Sequence, residues 1–209
     1  MTPYVVPFAI YIVLSLVAGY FENGAYFMYP IKTLLVAASL WYYRAEYPEL
    51  RCGIRPAQVF TAAVVGVAVF AIWVIPEGWY PHLDSSEFNP FFTNNTPVQW
   101  LLIFFRTTGA ALVVPVFEEL FWRSFLLRWT ISPDFKQVAL GKFTWISFAV
   151  VALLFGFEHH RWLVGIVAGV IYAALLYREK NLWTCIVAHG VTNLALGLYV
   201  LKTGQWSFW

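Results

Sequence analysis

Apolar residues come in long, nearly unbroken runs, not in the two-residue alternation of a half-buried strand or the one-sided stripe of a surface helix. The runs cover residues 4–20, 26–43, 59–75, 98–129, 143–157, 162–177 and 182–201. Most approach the ~20 residues a helix needs to cross a hydrocarbon layer of about 30 Å. Short polar breaks such as Glu22-Asn23-Gly24 and Arg178-Glu179-Lys180-Asn181 separate them. The pattern predicts an all-α protein, a polytopic transmembrane helical bundle of about seven spans in one integral membrane domain. Residues 1–97 supply three spans and an outer loop, and residues 98–209 a four-span core. The first run has no basic leader and passes straight into the second, so it reads as a retained helix, not a cleaved signal. The fourth is longer than a perpendicular span and must tilt, bend or project. Its Pro115 removes one backbone donor and frees a carbonyl one turn earlier.

Composition agrees with a bilayer. The chain is 61% hydrophobic and 11% charged, outside the range of soluble domains. Many of its 11 Trp and 12 Tyr fall near the ends of the apolar runs, where amphipathic rings favour the headgroup layer. A net charge of +2 with no basic stripe argues against nucleic acid as a partner. Lys and Arg collect in the breaks at 44–58, 128–142 and 178–180, which therefore face the cytoplasm. The 76–97 segment carries Glu77, Asp84 and Glu87 with neither Lys nor Arg and is placed outside, leaving Arg161 and Lys202 as exceptions. His82 belongs to that loop and reads as a surface residue. Cys52 and Cys185 suggest neither a disulfide framework nor a metal-binding pair. Lys32 is expected to snorkel to the nearer surface, and Arg106 either reaches the outer surface or faces the interior.

Ionisable groups inside such runs are costly enough to imply function. Glu118, Glu119 and Arg123 lie together in the fourth run. On a helix Glu119 and Arg123 are four apart and can pair, whereas Glu118 points about 100° away and lacks that partner. His159 ends the fifth run, and His189 and Asn193, four apart on one face, lie in the seventh. Counted at about 1.5 Å per residue, their depths bracket the middle of the membrane, so one site can hold them. Glu118 is then the candidate general base for a water that a neutral His159 helps to hold. His189 and Asn193 suit an oxyanion, and Glu119 with Arg123 would fix the helix and tune the field. This chemistry needs neither a metal nor another cofactor. Three other readings use the same residues: a zinc site built from Glu118, Glu119, His159, His160 and His189, a proton or ion pathway, and a membrane immunity or scaffolding protein whose polar core serves packing.

Glu118-Glu119-Leu-Phe-Trp-Arg123, Phe155-Gly-Phe-Glu-His159 and His189-Gly-Val-Thr-Asn193 resemble the E-E-x-x-x-R, F-x-x-x-H and H-x-x-x-N motifs of the CPBP family, the CAAX protease and bacteriocin-processing (Abi) group. The resemblance covers about the C-terminal half. It implies a glutamate-dependent intramembrane endopeptidase acting on a membrane-associated protein or peptide. In that family's terms, Glu118 and His159 activate water and His189 and Asn193 stabilise the oxyanion. The Glu158-His159-His160-Arg161-Trp162 run is also similar to the exosortase-associated branch, which implies a multi-pass protein of a prokaryotic inner (plasma) membrane. Either His159 or His160 could face Glu118. The site is expected to open towards the cytoplasm.

Overall fold

Runs this apolar leave the backbone no solvent partner in a bilayer, so helix, which satisfies its own N–H and C=O groups, is the state they adopt. The computed structural model describes residues 1–83 and 87–209; Asp84, counted above with the outer acidic loop, lies outside the described residues. Among the described residues there are seven main helices and no strand. They are α1 (Thr2–Ala18), α2 (Gly24–Tyr42), α3 (Pro56–Val74), α4 (Thr96–Trp129), α5 (Trp145–Phe157), α6 (Trp162–Glu179) and α7 (Leu182–Thr203). Of these, α3, α4, α6 and α7 are long and apolar enough to cross a membrane. No more than 44% of any such segment is buried within the protein, which leaves side chains such as Phe60, Val64, Leu112 and Leu198 facing outwards, as a lipid environment requires.

The turns follow from local chemistry. Asn23 takes a left-handed conformation, φ 58°, to reverse the chain between α1 and α2. Asn95, Thr144 and Asn181 cap α4, α5 and α7 by accepting backbone N–H bonds. The 34-residue α4 is not uniform. It widens to π-helical turns at Gly109–Val113 and Leu120–Leu126, on either side of the α-helical stretch Val114–Glu119 that carries Pro115, Glu118 and Glu119. Such widened turns are uncommon and tend to accompany functional sites.

Small residues set how near the helices lie. A Cβ on Gly66 of α3 would sit 2.4 Å from the carbonyl oxygen of Ala188 on α7, so only glycine permits that approach. The predicted close packing at Gly165 and Gly169 is present: these residues of α6 lie against Gly156 and Ala152 of α5. Helices α1 and α2 pair, and α1 also packs on the wide turn of α4 through Phe8, whose ring stacks on Phe121 at 4.0 Å. At the basic end a buried polar knot ties the N-terminus to α4. Arg128 donates to Glu49, Ser124 Oγ donates to Glu49 at 2.8 Å and the Tyr4 hydroxyl donates to Glu49 at 2.9 Å.

Candidate active site

Glu119 is fully buried, and the sequence-predicted pair is present: Arg123 Nη1 donates to Glu119 Oε1 and Arg123 Nε lies against Oε2, both at 3.2 Å. The same carboxylate takes a second partner that helical spacing did not reveal. His189 Nδ1 of α7 lies 2.9 Å from Glu119 Oε1. With the Glu119 oxygen accepting, Nδ1 carries the hydrogen, and His189 also lines the adjoining cavity. Two aromatic rings frame the group. The Tyr172 ring stacks on His189 at 5.3 Å, and Arg123 lies over Phe155 at 4.1 Å.

Glu118 points elsewhere. It is 5% exposed, and its Oε2 has no hydrogen-bond partner among the described residues. It lines a cavity of about 470 Å³ together with His159, His189 and Asn193. His159 Nδ1 lies 2.7 Å from the carbonyl oxygen of Phe155. A carbonyl only accepts, so that nitrogen carries the hydrogen and the neutral ring presents an accepting Nε2. His160 also borders the cavity but is exposed, whereas His159 is packed against Trp73 and Phe155. Asn193 donates from Nδ2 to the carbonyl oxygen of Ala110, 2.8 Å away in the first wide turn of α4. That turn precedes Pro115, which has no N–H to offer, so the Asn193 amide supplies a donor beside the gap. Gly190 brings α7 close enough for this: a Cβ there would lie 2.8 Å from the Ala111 carbonyl oxygen.

One expectation is corrected, and two other cations take defined places. Lys32 does not snorkel: its ammonium is buried, donates to Ser15 Oγ at 2.7 Å and lies over the Tyr11 ring at 4.0 Å. Arg106 faces the interior, over Tyr29 and Phe88. Arg161, an exception to the charge rule, is buried and locked in place, with Nε and Nη2 donating to Glu77 at 2.9 and 2.7 Å and Nη1 to the Ser207 carbonyl at 2.8 Å. That pairing holds the Glu77 carboxyl below its ordinary range. Phe88, Arg161, Ser207 and Trp209 line the cavity at the end opposite the basic loops, and because α5 ends at Phe157, His159 lies in the connection to α6 at that end.

Sequence reasoning also passed over Tyr172 and Glu158. Glu158 lines the same cavity and accepts from Trp122 Nε1 at 3.1 Å. Tyr172 sits in an apolar helix with no motif around it and could not have been singled out; Glu158 was in view as the residue before His159. Among the described residues no three His, Cys, Asp or Glu side chains gather at metal-ligand spacing.

No curated protein and no solved structure matches the chain. Residues 97–195 match the family described as type II CAAX prenyl endopeptidase Rce1-like. All three motifs and the whole polar cluster of α4, α5 and α7 fall inside that segment, which is consistent with the CPBP family of CAAX proteases and supports a membrane endopeptidase.

Proposed function

We propose that the protein is a glutamate-dependent intramembrane endopeptidase that hydrolyses a peptide bond of a membrane-associated protein or peptide. The observation carrying this reading is Glu118, a buried acid with an oxygen unpartnered among the described residues, on the same cavity as His159, His189 and Asn193. Residues 98–209 would form the catalytic core, with residues 1–97 walling its cavity as part of one unit. The similarity to the exosortase-associated branch is the basis for placing it in a prokaryotic plasma membrane.

In the proposed reaction a water sits between Glu118 and Nε2 of His159. Glu118 takes its proton, the oxygen adds to the substrate carbonyl, and the proton is passed to the departing amine nitrogen. Negative charge then develops on the carbonyl oxygen. Asn193 keeps one amide hydrogen for it beyond the one given to Ala110. His189 donates from Nε2 when it is an imidazolium, with the Glu119 carboxylate behind it. Glu119 and Arg123 are thus positioning residues that act through His189.

The test compares the C-terminal peptides of membrane proteins from cells carrying wild-type protein and cells carrying Glu118→Gln at equal abundance. Products present with the wild type and absent with the variant support the reading. Identical peptide profiles from a folded variant remove it and leave the scaffolding role.

A further inference from the structure

A departing amine nitrogen needs a proton donor, and several polar groups around the cavity are already committed. A neutral His159 gives its hydrogen to the Phe155 carbonyl, and Glu119 is taken up by Arg123 and His189. Glu158, which follows the last residue of α5, lines the same cavity as Glu118. Its Oε2 accepts from Trp122 Nε1 at 3.1 Å, and among the described residues its Oε1 takes no hydrogen bond. Trp122 stands four positions beyond Glu118 on α4, about one turn along, so the indole ties Glu158 to the stretch that carries the proposed base. That ring is itself fixed: it is buried and packs edge-on against Phe8 at 5.4 Å and Phe155 at 5.9 Å. Among the described residues neither Glu118 nor Glu158 has a Lys, Arg or His nitrogen within ion-pair distance, whereas Glu49, Glu77 and Glu119 each have a guanidinium. Two such carboxyls on one hollow are best arranged as one carboxylate and one acid, because like charges there repel.

We propose that Glu158 is the general acid that protonates the departing nitrogen, and that Trp122 is the positioning residue that presents it. This rests on the endopeptidase reading and completes its proton path. An indole N–H only donates, so the oxygen it meets remains an acceptor and the hydrogen of the acid resides on Oε1. As the carbonyl–nitrogen bond breaks, its electron pair goes to nitrogen and takes the Oε1 proton, which leaves Glu158 a carboxylate. Glu118, which has gained a proton from the attacking water, passes it to Glu158, and both acids regain their starting states. Water thus supplies the hydroxyl of the new carboxyl and, in net, the hydrogen of the new amine. Dividing base and acid between two carboxyls lets the nitrogen be protonated while Glu118 is still accepting. The motif F-x-x-x-H leaves position 158 open, and E-E-x-x-x-R leaves position 122 open, so this acid belongs to the chain and not to the motif set.

The experiment uses the full-length protein in phosphatidylcholine nanodiscs and two probes that share one acyl group, N-acetyl-S-farnesyl-cysteine. In one the acyl group is joined to an a-a-X peptide, and in the other it is a p-nitrophenyl ester. The amine leaves only when protonated, whereas p-nitrophenolate leaves without a proton. Rates are counted above those of Glu118→Gln, which reports hydrolysis outside the site. Wild-type protein is expected to cleave both probes. Glu158→Gln should slow the peptide about a hundredfold and the ester by about twofold at most. Trp122→Phe, which keeps a ring and removes the donor, should slow the peptide about tenfold with the same sparing of the ester. Retained ester hydrolysis also reports a folded site. Equal losses on both probes assign Glu158 and Trp122 to packing and overturn the proposal. Peptide cleavage by Glu158→Gln at the wild-type rate overturns it too, and leaves the endopeptidase reading standing. A wild-type protein that hydrolyses neither probe above Glu118→Gln sinks the endopeptidase reading, and the acid with it.

Discussion

His189 Nδ1 and Glu119 Oε1 lie 2.9 Å apart, joining α7 to α4 through a carboxylate that Arg123 already holds. The adjacent Glu118 has an oxygen with no partner among the described residues. Two neighbouring acids thus face opposite energetic situations, and substitution should separate them. Glu119→Gln leaves Arg123 buried without its counter-charge and is expected to cost about 3–5 kcal/mol, as removal of one member of a buried pair does. Glu118→Gln should leave thermal stability unchanged or raise it while abolishing hydrolysis. A thermal scan of both purified variants in detergent checks this; equal losses of melting temperature would contradict it.

Asn193→Ala removes the donor to Ala110 and the proposed oxyanion contact together. Intramembrane hydrogen bonds between side chains average well under 2 kcal/mol, so the stability cost should be about 1 kcal/mol. The rate should fall by about a hundredfold or more. Single-turnover kinetics on a cleavable peptide distinguish the two effects. A variant with full activity would remove Asn193 from the oxyanion role.

Gly66→Ala places a methyl 2.4 Å from the Ala188 carbonyl oxygen and 2.8 Å from Val191 Cβ. Helices α3 and α7 would have to part, at a cost of about 1–3 kcal/mol. Because α7 carries His189 and Asn193, activity per folded molecule should also drop. Gly53, beside which a Cβ meets nothing within 4 Å, provides the control: Gly53→Ala should be silent in both measurements.

The Glu77–Arg161 pair should give the outer loop an acid-sensitive anchor. Arg161 lowers the Glu77 pKa from its ordinary 4.5. A depressed folded value means that the contribution is fully present above the unfolded one and is lost as pH falls through the folded one. Leu83, whose N–H donates to the His160 carbonyl next to Arg161, should therefore lose hydrogen-exchange protection only below about pH 4.5 in the wild type. Glu77→Gln should show the loss at neutral pH. Protection that is independent of pH and of this substitution would show that the loop is held by other contacts.

At the other end, Glu49→Ala breaks the Tyr4–Ser124–Arg128 knot and strands a buried guanidinium. A loss of about 3–5 kcal/mol is expected with no change in the pH profile of the surviving activity, since the knot does not border the cavity. An altered profile would couple this knot to the site.

Hydrophobic runs and their polar breaks were enough to determine seven helices, their order and the two-faced charge distribution, because a bilayer allows an apolar segment few other states. The same pattern named Glu118, Glu119, Arg123, His159, His189 and Asn193, since polar and ionisable groups stand out in such runs. Spacing along one helix also gave the Glu119–Arg123 pair. It could not give the partner of His189, which lies 70 positions from Glu119, nor the placement of Lys32 and Arg106 against one tyrosine. Nor could it give the covering of Arg161, because that depends on a C-terminal segment folding back over it. Local periodicity is a property of each helix, whereas the partners of a buried charge are set by which helices lie side by side, and only packing decides that.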